Sequence, residues 1–175
     1  FWCAFTLDKY LSIAMGRLPF LRAEDTIQAL PMVIDDEDIT LHGVQSHKPT
    51  YGRDCLLTAT VAHIEIGRIL ARASQEQNTL PTTTGRPHVE AAVRSSQEIR
   101  EWHSKLTPVL SGIVHPESLI PCFRRQQSIL TLARLHTTMF VTRPLLLRDL
   151  SSVVPETEGQ QYRDHLRSCI QAARD

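Results

Sequence analysis

Several groups of residues in this 175-residue chain have types that could do chemistry, and each fails at a definite position. His63-Ile64-Glu65 resembles the start of a zinc site that activates water for deamination, and Pro121-Cys122 resembles its second half. That site needs a second Cys three residues after the first, where this chain has Arg125. Asp35-Asp36-Glu37-Asp38 is an acidic run of the kind that holds magnesium on a diphosphate. Such a run works when carboxylates one helical turn apart converge on one cation. Ile39 stands where the distal Asp is needed, so the run reads as a solvated or helix-capping turn. His42 and His47 are spaced too loosely for a metal pair, and His63 and His115 lie far from them. Ser46 beside His47 lacks the glycine elbow that exposes a nucleophile, and no glycine-rich phosphate loop is present. Arg124-Arg125 reads as a surface patch. Trp2, Phe5, Tyr10 and Phe20 could line a ligand pocket, but aromatic residues in an apolar helix read first as core. No acid, base and nucleophile converge, so the sequence names no catalytic, cofactor-binding or metal-binding residue and does not read as an enzyme.

The elements that would carry these residues are helical throughout, and the expected fold class is all-α. A first helix over Phe1–Met15 is apolar on both faces apart from Asp8-Lys9, which predicts a central, buried helix. Gly16 can supply its left-handed end. Residues 17–53, with Pro19, Pro31, Pro49, Gly43 and Gly52, read as irregular, and no period-2 strand is expected. A second helix over 54–75 carries one apolar stripe (Ala59, Ala62, Ile66, Ile69, Leu70, Ala73) and another of Leu57, Val61 and Ile64, with Asp54 as a cap. After a Thr/Pro/Gly linker over 76–87, a third helix over 88–106 buries Val89, Val93, Ile99, Trp102 and Leu106. Its wet face offers Glu90–Arg94 and Glu101–Lys105 as i,i+4 pairs. A fourth helix over 121–142 directs Phe123, Leu130, Ala133, Met139 and Phe140 inward and should stop before Pro144. A last helix begins near Glu158. The connections are too long for a simple up-down bundle, so the reading is an irregular multi-helix domain truncated at both ends.

Hydrophobic residues make up 42% and charged residues 22%, which argues against bulk disorder. Nineteen basic residues balance nineteen acidic ones. Gripping nucleic acid through its phosphates needs a positive excess, so the chain is not expected to hold DNA by itself. Cys3, Cys55, Cys122 and Cys169 have no metal or redox spacing and read as free thiols, with Cys3, Cys55 and Cys169 acting as small hydrophobes. No apolar run reaches the roughly 18 residues of a membrane span. A start on Phe-Trp-Cys in mid-helix reads as a piece of a longer protein.

The opening segment FWCAFTLDKYLSIAMGRLPFLRAEDTIQALP is similar to the hallmark of the fungal-specific transcription factor domain, the middle homology region of regulators with a six-cysteine binuclear zinc cluster. Trp2, Leu7, Asp8, Leu11, Ser12, Gly16, Arg17, Glu24, Asp25, Leu30 and Pro31 follow that pattern. Lys9 replaces the usual Arg, and Leu18-Pro19 displaces the usual proline by one position. Three further segments resemble the family in order: Val89 to Leu106 with Trp102 before Leu106-Thr107-Pro108, Leu132 to Leu147, and Cys169 to Ala173.

The resemblance implies that residues 1–175 are part of one regulatory domain, with the zinc-cluster DNA-binding domain upstream. It further implies control of RNA polymerase II transcription in the nucleus. DNA and zinc would then be contacts of the missing cluster only. The remaining partners would be co-regulators, a small-molecule effector and a second copy of the full-length protein. Trp2, Asp8, Gly16, Arg17, Leu30 and Pro31 become structural motif residues, and Asp8 with Arg17 the expected buried pair, since a carboxylate in an apolar helix needs a partner. Two other classes remain open to the residues alone: an all-α enzyme of the terpene-synthase kind and a generic helical interaction module.

Overall fold

The computed structural model describes residues 1–25, 27–44, 55–79, 86–147 and 159–174. Among these the chain is helical: α1 (Trp2–Ala14), α2 (Leu56–Thr79), α3 (Arg86–Ser104), the short α4 (Pro108–Ser111), α5 (Pro121–Leu147) and α6 (Gly159–Arg174). The expected all-α class holds. Two 3-10 turns, Asp36–Asp38 and Pro116–Ser118, fall in the connections. A two-residue antiparallel pairing of Ile39–Thr40 with Gly43–Val44 is an element that periodicity could not show, because two residues make no period. The proposed Asp54 cap, residues 80–85 of the expected 76–87 linker, His47 and Ser46 lie outside the described residues, while residues 76–79 continue α2.

Helices α2, α3 and α5 pack mutually and hold the core, α1 lies against α2, and α6 lies against α5. The first stripe of α2 is buried as its spacing predicts: Ala59, Ala62, Ile66, Ile69, Leu70 and Ala73 are all enclosed. Small Ala side chains let Val89, Ala92, Ile99 and Trp102 of α3 and Leu130, Ala133, Val141 and Leu145 of α5 approach closely. The second stripe divides. Ile64 is buried against Trp2 and Phe5 of α1, while Leu57 is at the surface. Inside α5, Thr137 and Thr142 are fully buried with their hydroxyls satisfied, because each donates to the carbonyl one turn back, Ala133 O and Thr138 O, both at 2.7 Å.

Three expectations need correction. The first concerns α1, which is not central. Leu7, Leu11 and Met15 are exposed, and the residues it buries are Trp2, Phe5, Thr6, Lys9 and Ser12. One face rests on α2, where Thr6 meets Gly67, and Lys9 is buried where the following segment folds back to offer the Leu21 carbonyl. Cys3 is likewise exposed, not a core hydrophobe.

The second concerns the third helix, where Arg94 pairs across to α2 and Glu101 meets Gln97 on its own helix, in place of the expected partners. Arg94 reaches Glu76 on α2 at 2.9 Å, and Arg72 of α2 reaches Glu98 at 2.5 Å. Glu101 accepts a hydrogen bond from Gln97.

The third concerns α5, which continues through Pro144 to Leu147. A proline inside a helix orphans the carbonyl four residues earlier, here Phe140 O. Gln77 Nε2 of α2 donates to that carbonyl at 3.1 Å. The neighbouring helix thus satisfies the group that proline leaves free, and the last turn survives. Gln77→Ala should lower stability by about 1–2 kcal/mol by leaving that carbonyl unsatisfied, read as a reduced denaturation midpoint. An unchanged midpoint would remove Gln77 as the reason the helix persists.

Candidate functional site

The hallmark segment forms the best-defined polar site of the fold. It begins where α1 stops. Met15 ends the helix, and Gly16 takes a φ of +66°. The Gly16 amide donates to Ile13 O at 3.1 Å and the Arg17 amide to Ser12 O at 2.9 Å. These paired bonds are a Schellman end, which needs a residue free to adopt the left-handed conformation. Gly16 is required for its backbone, and Arg17 contributes its amide.

The chain then returns along α1. Asp8 anchors it: Oδ1 accepts from the Phe20 amide at 3.2 Å and from Ser12 Oγ at 3.3 Å, and Oδ2 accepts from the Leu21 amide and from Lys9 Nζ, both at 3.0 Å. Lys9, fully buried, also donates to Leu21 O and lies 4.1 Å from the centre of the Phe5 ring. Farther back, Trp2 Nε1 donates to Ala29 O at 2.7 Å, and Leu30 packs on the Trp2, Phe5 and Ile64 cluster with Pro31 half-buried beside it. Arg68 of α2 stacks its guanidinium 4.6 Å from the Trp2 ring.

The expected Asp8–Arg17 pair is not formed. Arg17 is exposed, and Asp8 is held by its own neighbour Lys9 and by backbone amides. Residues i and i+1 of a helix point about 100° apart, which is why adjacency gave no reason to pair them. They meet because both reach toward residues 20–21. Burial raises the Asp8 carboxyl pKa, but hydrogen bonds from Lys9, Leu21 and Phe20 and the Lys9 charge outweigh it and hold the group below its usual value.

Beneath the returning segment lies a cavity of about 500 Å³ between residues 18–24 and α2. Leu18, Leu21 and Ala71 give it apolar walls, and Arg22 and Arg68 give it cationic ones. The Asp8 anchor therefore shapes this cavity.

On the far side of α1, Tyr10 is wedged between two histidines. Its hydroxyl is 3.0 Å from His63 Nε2, and its ring meets His136 edge-on at 5.3 Å. Burial raises the Tyr10 pKa to about 12, so the phenol keeps its proton, and which partner donates in the Tyr10–His63 hydrogen bond is set by the His63 tautomer. Burial lowers the pKa of both His63 and His136, and His136 Nδ1 is enclosed without a partner. The fold therefore favours both rings neutral. The unfolded chain takes up their protons near pH 6.5, the folded chain only at lower pH. Stability from these rings is then complete above about pH 6.5 and is lost on acidification. A melting temperature that falls between pH 7.5 and 5, and falls less steeply in His63→Gln/His136→Gln, is the expected result.

The other sequence candidates do not assemble. The Asp35–Asp38 run forms a 3-10 turn, His42 is exposed, and His115 caps the turn at Glu117. Among the described residues no three His, Cys, Asp or Glu side chains are grouped to hold a metal, and no helix is long and apolar enough to cross a membrane. Phe20 is exposed, so it belongs to neither core nor pocket. Arg124 does more than occupy the surface: it donates to Pro116 O at 3.1 Å and ties the loop before α5 to its first turn.

The chemistry at the hallmark site is positioning. The Asp8 and Lys9 side chains are committed to each other and to backbone groups. A family model, the fungal specific transcription factor domain, matches residues 1–148. The chain belongs to that family. The match runs from the hallmark segment to the end of α5 and leaves α6 outside it. No curated protein and no solved structure matches the chain. The chain is accordingly a regulatory domain of the fungal transcription factor kind, of a family defined by regulation and not by an enzymatic activity.

Proposed function

We propose that this domain is the middle region of a nuclear fungal regulator of RNA polymerase II transcription, in which a binuclear zinc cluster upstream contacts DNA. The single observation that supports this most is the family match over residues 1–148. Zero formal net charge agrees with it, since DNA contact then falls to another part of the protein. Zinc belongs to that cluster, and no cofactor is assigned to residues 1–175. The domain restrains or relays activation, through a small-molecule effector, through co-regulators, or through self-association of the full-length protein.

The test is made in the parent gene. A C-x2-C-x6-C run upstream of Phe1 is expected, and deleting residues 1–175 is expected to change transcript levels from the regulator's target promoters at least several-fold. A parent gene without such a run, or a deletion that leaves transcription untouched, would overturn the proposal.

A further inference from the structure

α3, α5 and α6 line a second pocket, an open groove of about 750 Å³. Arg100 of α3, Arg134 of α5, and Arg167 and Arg174 of α6 line it, together with His103 and His165. Among the described residues, no Asp or Glu lines it. In a chain with equal numbers of acidic and basic residues, this is a local segregation of charge.

The arginines are poorly neutralised. Arg100 donates to the uncharged Gln97 Oε1 at 3.2 and 2.8 Å. Arg167 reaches Asp164 at 3.5 Å, with both side chains exposed, an arrangement that contributes little. Arg134 has no hydrogen bond or ion pair from its side chain among the described residues. Arg174, in the last turn of α6, is favoured by the helix dipole, which accounts for one of the four. Burial first, and then the Arg100 charge, lower the pKa of His165, with Asp164 opposing. The neutral ring leaves the guanidiniums as the source of positive potential.

A slot of this size is on the scale of small-molecule sites, about 300–1,000 Å³. A nucleic-acid duplex presents its phosphates on a convex surface and does not enter a slot between packed helices. Guanidinium groups match carboxylate and phosphate oxygens two at a time, while Ile99, Leu135 and Ala172 offer apolar floor.

We propose that the groove between α3, α5 and α6 binds a small polyanion, a metabolite carrying two or more phosphate or carboxylate groups with its carbon skeleton on Ile99 and Leu135. Occupancy follows from the groove itself, and its regulatory consequence rests on the function proposed above.

The test is calorimetric titration of the whole chain at physiological salt with inorganic pyrophosphate and, separately, with citrate. Saturable one-site binding of at least one probe is expected, weakened ten-fold or more in Arg134→Gln and in Arg100→Gln/Arg167→Gln. Arg22→Gln, which removes a cation from the other cavity, should bind as the unchanged chain does. Preference for pyrophosphate assigns a phosphate ligand, and preference for citrate a carboxylate. No saturable binding, equal weakening in Arg22→Gln, or full affinity in both groove variants whose circular dichroism is unchanged would overturn the proposal. Groove binding without any change in reporter transcription would support the site and count against the regulatory reading.

Discussion

Asp8→Asn should lower the stability of this domain by about 3 kcal/mol, the cost of leaving a buried cation without its counter-charge. For a chain of this size that is a fall in melting temperature of about 6–12 °C. The reason is Lys9. Its ammonium is fully buried, and its described acceptors are the Asp8 carboxylate and one backbone carbonyl. Asn keeps an oxygen for one of the amides of Phe20 and Leu21 but removes the negative charge and places an NH2 where the other amide donates. Lys9→Met should cost less, because Asp8 would retain three donors, Ser12 and the two amides. The double variant should then be more stable than the sum of the singles predicts, by about 1–3 kcal/mol of coupling. Strict additivity would show that the two side chains act independently. The same clamp sets an acid limit. The Asp8 pKa is lowered in the fold, so its stabilisation is complete above about pH 4 and is lost as pH falls through the lowered folded value.

The fold was readable where packing obeys helical period, and unreadable where it depends on what folds over a helix. Ala59, Ala62, Ile66, Ile69 and Ala73 recur on one face because that face meets α3 and α5. α1 resembles such a helix in composition, yet it buries a mixed face, with Thr6, Lys9 and Ser12 beside Trp2 and Phe5. The signal that could have corrected this was the proline-bearing return segment after Gly16, which supplies two amides to Asp8 and one carbonyl to Lys9. The site shows the same division. Gly16 was legible because a left-handed helix end has a strong residue preference. The role of Arg17 was not, because a backbone amide leaves no trace in side-chain chemistry. Pro144 misled for the complementary reason: the sequence shows that a carbonyl is freed, and only the packing of α2 shows that Gln77 captures it. The groove at α6 was invisible because its arginines come from three separate helices.

Trp102→Ala should destabilise the domain by about 3–5 kcal/mol, the range for truncating a buried aromatic to Ala. Trp102 is only 4% exposed, and it joins α3 to α2 in two ways. Its ring fills the core among Ala62, Ile66 and Ile99, and its Nε1 donates to Ala62 O at 3.0 Å. These contributions can be separated. Trp102→Phe keeps most of the ring and loses the donor. Ala62 O retains its place in the helix ladder, so this variant should lose about 1–2 kcal/mol, a modest cavity and one hydrogen bond. Ala62→Leu overpacks the same contact from the other side and should cost about 1–3 kcal/mol. Combined with Trp102→Ala, it should recover part of the loss, because the added isobutyl group occupies space the indole leaves. Chemical denaturation of the four proteins decides the matter. If Trp102→Ala loses under 1 kcal/mol, α3 is not held to α2 through this residue, and the core must close chiefly through α5.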